Sequence, residues 1–183
     1  MDKRHASPEG HWSWSSESPH SHALRCGQVI WTSGQVAPGE GDARAQLPGA
    51  VGNLERVLDE FGCGLPHVVK LLCFYVNDGT MDETALLEAL GSLLPFGLKP
   101  AVMAVPVAYL AIPGAQVMLE AFAMAEADGT VLPRKLHVDP ALTPLPDAFA
   151  SAVRSGKMIF VSGQSPVSPT GEVMDPGDIV AQW

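Results

Sequence analysis

The chain has 183 residues, 46% of them hydrophobic and 17% charged, with a formal net charge of −9. That composition suits one domain, or one and a fraction, with a real core, and excludes a disordered chain. Lys and Arg total 11 against 20 Asp and Glu, and they are scattered, which argues against a nucleic-acid partner because phosphate binding needs clustered cations.

Residues 1–17 lack the apolar core of a secretory signal and read as a flexible extension. No run in the chain approaches the ~18 apolar residues of a membrane span, so no membrane partner is expected. His5, His11, His20 and His22 are metal-capable side chains, but no carboxylate or thiol sits at ligand spacing, and neither a metal nor a cofactor is expected. Cys26, Cys63 and Cys73 form no CxxC pair and read as reduced thiols in a cytoplasmic protein.

Gly27-Gln28 looks like a turn leading into a strand, Val29 to Thr32, which Ser33-Gly34 stops. Leu47, Val51, Leu54, Leu58 and Phe61 recur at steps of four and three, the apolar face of a helix. Pro48 belongs in a first turn, so that helix is expected to start close to Ala45 and to end at Gly62. Residues 67–76 are β-rich and apolar on both faces, which predicts a strand covered on both sides. Thr80 to Glu83 has the form of a capping box, and Leu86, Leu87, Leu90, Leu93 and Leu94 follow up to Pro95. Ala101 to Leu110 reads as a strand in which Pro106 suggests an edge. Val117 to Met124 is a further strand, closed by a turn at Asp128-Gly129.

The pattern through residue 127 predicts an α+β domain with one sheet and helices on one face. Residues 128–146, with four prolines after residue 132, read as a linker, and residues 147–183 become strand-like again. The string VIWTSGQV at 29–36 nearly returns as MIFVSGQ at 158–164, with Gln35 and Gln164 129 residues apart (164 − 35). His22 to Trp31 aligns without gaps on Ser151 to Phe160, and Ala45-Gln46 returns as Ala181-Gln182. This predicts a complete domain over 18–127 and the opening strands of a second, truncated copy over 147–183.

Ser33-Gly34-Gln35, Ala45-Gln46, Asn53, Val68-Val69-Lys70, Lys99-Pro100-Ala101 and Glu120-Ala121-x-Ala123 occur in this order and spacing across residues 18–127. On these residues the chain resembles the RidA (YjgF/YER057c/UK114) family, in a tandem two-domain form with the second domain cut short. The resemblance implies a RidA/chorismate-mutase-like α+β fold, a mostly antiparallel sheet with two helices on one face. It implies a homo-oligomer, a trimer or pseudo-trimer of domains, whose clefts take a small-molecule metabolite. The implied activity is hydrolysis of reactive enamines and imines to a keto acid and ammonia. Carried over by position, Glu120 is the catalytic residue that orients water, and His20, Ser33, Gly34, Gln35, Ala101 and Val102 bind the substrate.

The chain departs from that pattern at Val102, where the family's imine deaminases carry an Arg that clamps the substrate carboxylate; no Arg occurs between Arg56 and Arg134. His20 stands at the aromatic position. Each candidate also has a structural reading. Ser33 to Gln35 end a strand, Glu120 meets solvent or a backbone donor, and Asn53 bonds nearby backbone. Lys70 and Lys99 are solvated charges, and Arg25 and Arg154 are exposed hairpin residues. Two functions therefore stand side by side: an imine or enamine deaminase, and a non-catalytic ligand-binding or scaffold member of the fold. An RNA-cleaving activity fits poorly with the acidic charge and the missing acid–base pair.

Overall fold

The computed structural model describes residues 3–13, 20–77, 79, 81–168 and 170–182. Its first strands form a meander, β1 (Lys3–Ala6), β2 (Ala23–Cys26) and β3 (Val29–Thr32), each antiparallel to the next. Gly27 turns β2 into β3 at φ +60°, a region that costs an L side chain roughly 1–2 kcal/mol. Strand β1 lies in the stretch that the sequence reads as an extension. Its exposed Lys3, Arg4 and His5 carry no apolar alternation, yet they suit a charged outer edge.

Helix α1 (Ala43–Asp59) begins two residues earlier than the Pro48 argument places it. The Asp42 side chain accepts a hydrogen bond from Ala45 N at 3.0 Å and caps the first turn. Pro48 then sits in the second turn, where it removes the bond that the Arg44 carbonyl would otherwise accept. The apolar stripe is as expected: Leu47, Val51, Leu54 and Leu58 are buried, joined by Ala50 and Val57. Phe61 lies past the end of the helix but stays in the core.

A short 3-10 turn (Leu65–His67) leads into β4 (Val68–Val76). Leu71, Cys73 and Tyr75 are buried toward the helices, whereas Lys70, Leu72 and Phe74 on the opposite face are only half-buried. The expected cover on both faces is thus partial. Helix α2 (Glu83–Ser92) is capped by Asp82, whose side chain accepts from Thr84 N and Ala85 N at 2.9 and 3.3 Å. Thr80, the first residue of the expected capping box, lies outside the described residues. Strand β5 (Ala101–Val107) stops three residues short of the expected end, and it is an edge strand, where the exposed Pro106 leaves no partner unbonded. Strand β6 is Val117–Met124.

The main sheet runs β1-β2-β3-β6-β4-β5, antiparallel except for the β4–β5 pair. Both helices share one core with its inner face, built on Leu54, Leu58, Leu86, Leu90, Leu119 and Ala121. This is the α+β architecture that the sequence predicts.

A second sheet, β7 (Arg134–His137), β8 (Ala152–Ser155) and β9 (Met158–Val161), copies the first meander. Ala23↔Thr32 and Cys26↔Val29 return 129 positions on as Ala152↔Val161 and Ser155↔Met158, with Gly156 at φ +55° in the place of Gly27. Strand β7 falls within the expected linker, because its four residues between prolines pair with the edge of β8. This sheet lies on the outer face of the main one. Ala150, Val153 and Phe160 pack with Val69, Ala101 and Met124. Gly163 N donates to the Val102 carbonyl, and Val102 N donates to Ser162 Oγ, both at 2.8 Å.

Arg25 is buried rather than exposed. Its guanidinium donates to the carbonyl of Gly27 in the β2–β3 turn and to those of Ala125 and Glu126, just past the end of β6. Its counterpart Arg154 is exposed as expected.

Candidate functional site

Alternation along β6 decides where its one charge goes. Leu119, Ala121 and Ala123 are buried beneath the helices, so Met118, Glu120 and Phe122 face the other way. Glu120 stands opposite Leu72 of β4, beside apolar neighbours. Burial alone pushes its carboxyl above the ordinary glutamate range. Among the described residues it has no hydrogen-bond or salt-bridge partner.

The stretch after β3 forms the wall beside it. Ser33 donates from both N and Oγ to the His22 carbonyl, at 2.8 and 3.2 Å. At Gly34 the absence of a Cβ leaves room for the Met118 side chain, which would otherwise have to shift. Gln35 is bridged to Leu119 by backbone bonds of 2.7 and 2.9 Å, and its side chain is fully buried. The Gln35 amide donates to the Ser33 carbonyl, and its Oε1 accepts from His11 Nε2 at 2.7 Å and from Trp12 Nε1 at 3.1 Å. It therefore pins the segment around residues 11–12 across the end of β3.

That segment brings three imidazoles together. The His22 ring lies 4.5 Å from that of His11 and 5.2 Å from that of His20, centroid to centroid. Burial, then the neighbouring His11 and His20, push the His22 pKa down to about 4. His11 Nδ1 and His22 Nδ1 are buried without a hydrogen-bond partner among the described residues. No group of three or more His, Cys, Asp or Glu among the described residues is arranged to hold a metal.

His20, Ser33, Gly34 and Glu120 line one open cavity of about 650 Å³, completed by Trp12, Met118 and residues 109–112. Among the described residues no Lys or Arg lines it. Glu120 also lines a shallower cleft with Trp31 and Ser33, so its carboxyl sits between the two. Gln35 lies beneath the wall rather than in it. Ala101 and Val102 lie elsewhere: Ala101 is fully buried against the second sheet, and Val102 is buried in the helix-side core. Val102 borders a separate cleft of about 500 Å³ between α2, residues 143–146 and residues 163–165.

Other sequence candidates serve the framework. Asn53 Nδ2 donates to the Val36 carbonyl at 2.7 Å. Burial pushes the Cys73 thiol up to about 12, which removes it as a thiolate nucleophile. Lys99 approaches the exposed Asp147 at 3.9 Å. Trp12, Tyr109 and Ile112 were not legible as wall residues: they come from irregular segments whose path no periodicity predicts.

The family model described as Endoribonuclease L-PSP (Ribonuc_L-PSP) matches residues 13–125. The RutC family protein slr0709 of Synechocystis sp. is 32% identical over 101 residues, covering 50% of this chain and 75% of its own. Among solved structures, Rv2704 of Mycobacterium tuberculosis, described as a member of the YjgF/YER057c/UK114 family, superposes with a TM-score of 0.56 at 24% identity, covering 68% of this chain and all of its own. YyfA of the Rid protein family from Yersinia pestis gives a TM-score of 0.59 at 22% identity, covering 68% of this chain and all of its own. RidA of an Antarctic Psychrobacter gives 0.57 at 22%, covering 66% of this chain and 98% of its own.

Proposed function

This chain belongs to the Endoribonuclease L-PSP family, the RidA (YjgF/YER057c/UK114) family, and on that premise we propose that its Glu120 cavity hydrolyses small, reactive imines or enamines. The observation that carries the reading is Glu120 itself: a half-buried carboxyl without a partner among the described residues, opening into a cavity of small-molecule size. Burial moves its pKa toward neutrality, which suits a general base. Glu120 takes a proton from water as the oxygen attacks the imine carbon, and the proton passes on to nitrogen. The balance is R₂C=NH + H₂O → R₂C=O + NH₃.

The net charge of −9, and the lack of Lys and Arg among the described residues of the cavity wall, support a small metabolite over RNA as ligand. Trp31 is 55% exposed and stacks on Phe122 at 5.1 Å, and Met103 on the same face is also exposed. This open apolar face supports association of several copies, as a trimer or pseudo-trimer of domains. The free thiols of Cys63 and Cys73 fit a cytoplasmic setting, and among the described residues no helix is long and apolar enough to cross a membrane.

A non-catalytic ligand-binding or scaffold role is the second reading, favoured by the buried Val102 at the clamp position. Ammonia release from a freshly generated imine separates the two. The enzyme reading expects a rate above buffer that Glu120→Ala abolishes; a rate equal to buffer for both proteins leaves the binding role.

A further inference from the structure

The cavity's chemistry is one-sided. Among the described residues its wall holds one carboxyl, Glu120, and no Lys or Arg. Trp12, Tyr109, Ile112 and Met118 supply aromatic and apolar surface around it. Lys70, on the same sheet face, stands opposite Phe122, one diagonal step from Glu120, and forms no ion pair within 4 Å among the described residues. Glu120 thus keeps its capacity to accept two or more hydrogen bonds while losing part of its hydration.

A ligand carboxylate entering this space would meet like charge and no donor fork. A ligand cation would meet the one group whose desolvation it relieves, in a wall that also holds the Trp12 and Tyr109 rings. We propose that the Glu120 cavity selects small hydrophobic cations, namely amines and the protonated imines related to them, and rejects carboxylates. This rests on the reading of the cavity as a small-molecule site, and it narrows the imines hydrolysed to those without a carboxylate. For the protonated imine the balance is R₂C=NH₂⁺ + H₂O → R₂C=O + NH₄⁺, and the ammonium leaves from the same carboxyl that held the iminium nitrogen.

Binding tests this apart from turnover. The probes are 2-phenylethylamine, 2-phenylethanol and phenylacetate, three ligands of one shape and three charges, titrated calorimetrically into the whole chain at low ionic strength. The expected order is amine, alcohol, carboxylate, with the amine at least tenfold tighter than the alcohol. Glu120→Gln is expected to remove the amine's advantage and to retain alcohol binding. The proposal is overturned if phenylacetate binds as tightly as the amine, if the amine's advantage survives Glu120→Gln, or if the amine does not bind. A catalytically silent protein that passes this test refutes the hydrolase reading and keeps the selectivity.

Discussion

Val102 and Glu120 lie on opposite faces of the main sheet. Val102 is in register with Leu71, and Leu71 with Ala121, whereas Glu120 is in register with Leu72 and Met103. One residue of register sends side chains to different sides. A cation at position 102 would therefore enter the helix-side core and not the Glu120 cavity. Val102→Arg is expected to lose at least about 3 kcal/mol of stability in urea denaturation and to gain no affinity for a carboxylate. Wild-type stability with new carboxylate binding would contradict this geometry.

Glu120 is expected to cost stability at neutral pH. Its folded-state pKa is raised, so the folded chain holds the proton better than the unfolded chain does. Stability from this group is complete below the unfolded value and is lost as pH rises through the folded one. Glu120→Gln should raise the melting temperature by about 2 °C at pH 7.5 and leave it nearly unchanged at pH 4. A variant that melts lower at pH 7.5 would show that the carboxylate has a stabilising partner.

His22 acts with the opposite sign. Its folded pKa is near 4, below the ordinary histidine value of 6.5. As pH falls between those values the unfolded chain takes up a proton that the folded chain refuses, so stability is full above about 6.5 and declines toward 4. His22→Gln should reduce the loss measured between pH 7 and pH 4.5 by on the order of 1–2 kcal/mol. Parallel pH profiles for the two proteins would remove His22 from the acid response.

Ser162 ties the second sheet to β5. Its buried Oγ accepts from Val102 N and donates to the Ala150 carbonyl at 2.7 Å. Ser162→Ala strands both backbone groups, at a cost of about 1–3 kcal/mol. Ser33, its counterpart 129 positions earlier, makes one side-chain bond at the cavity edge, and Ser33→Ala should cost less than Ser162→Ala. Equal costs in urea would mean that the contact between the sheets is not held by this hydroxyl.

Much of the scaffold was legible because its elements are long and periodic. The stripe from Leu47 to Leu58 specifies α1, and Val117 to Met124 reads as β6 to the residue. The repeated Ser-Gly-Gln string marks two hairpins with one register. Strands β1 and β7 were not legible, since four charged or mixed residues at a sheet edge carry no alternation. Nor does periodicity reveal that Arg25 folds back on carbonyls 101 residues away, or that Gln35 pins His11 and Trp12. In the site, Glu120, Ser33, Gly34 and His20 converge, because strand alternation and the glycine approach are local properties. The facing of Val102 depends on the β4–β5 register, which one strand's sequence does not contain.

The most direct measurement is ammonia release, side by side, from a carboxylate-free imine and a 2-imino acid, each freshly generated by an oxidase, with wild type and Glu120→Ala. The expected result is a rate above buffer for the carboxylate-free imine, at least tenfold above that for the imino acid, and lost in the variant. No rate above buffer with either imine, or a rate that Glu120→Ala leaves intact, would contradict the account.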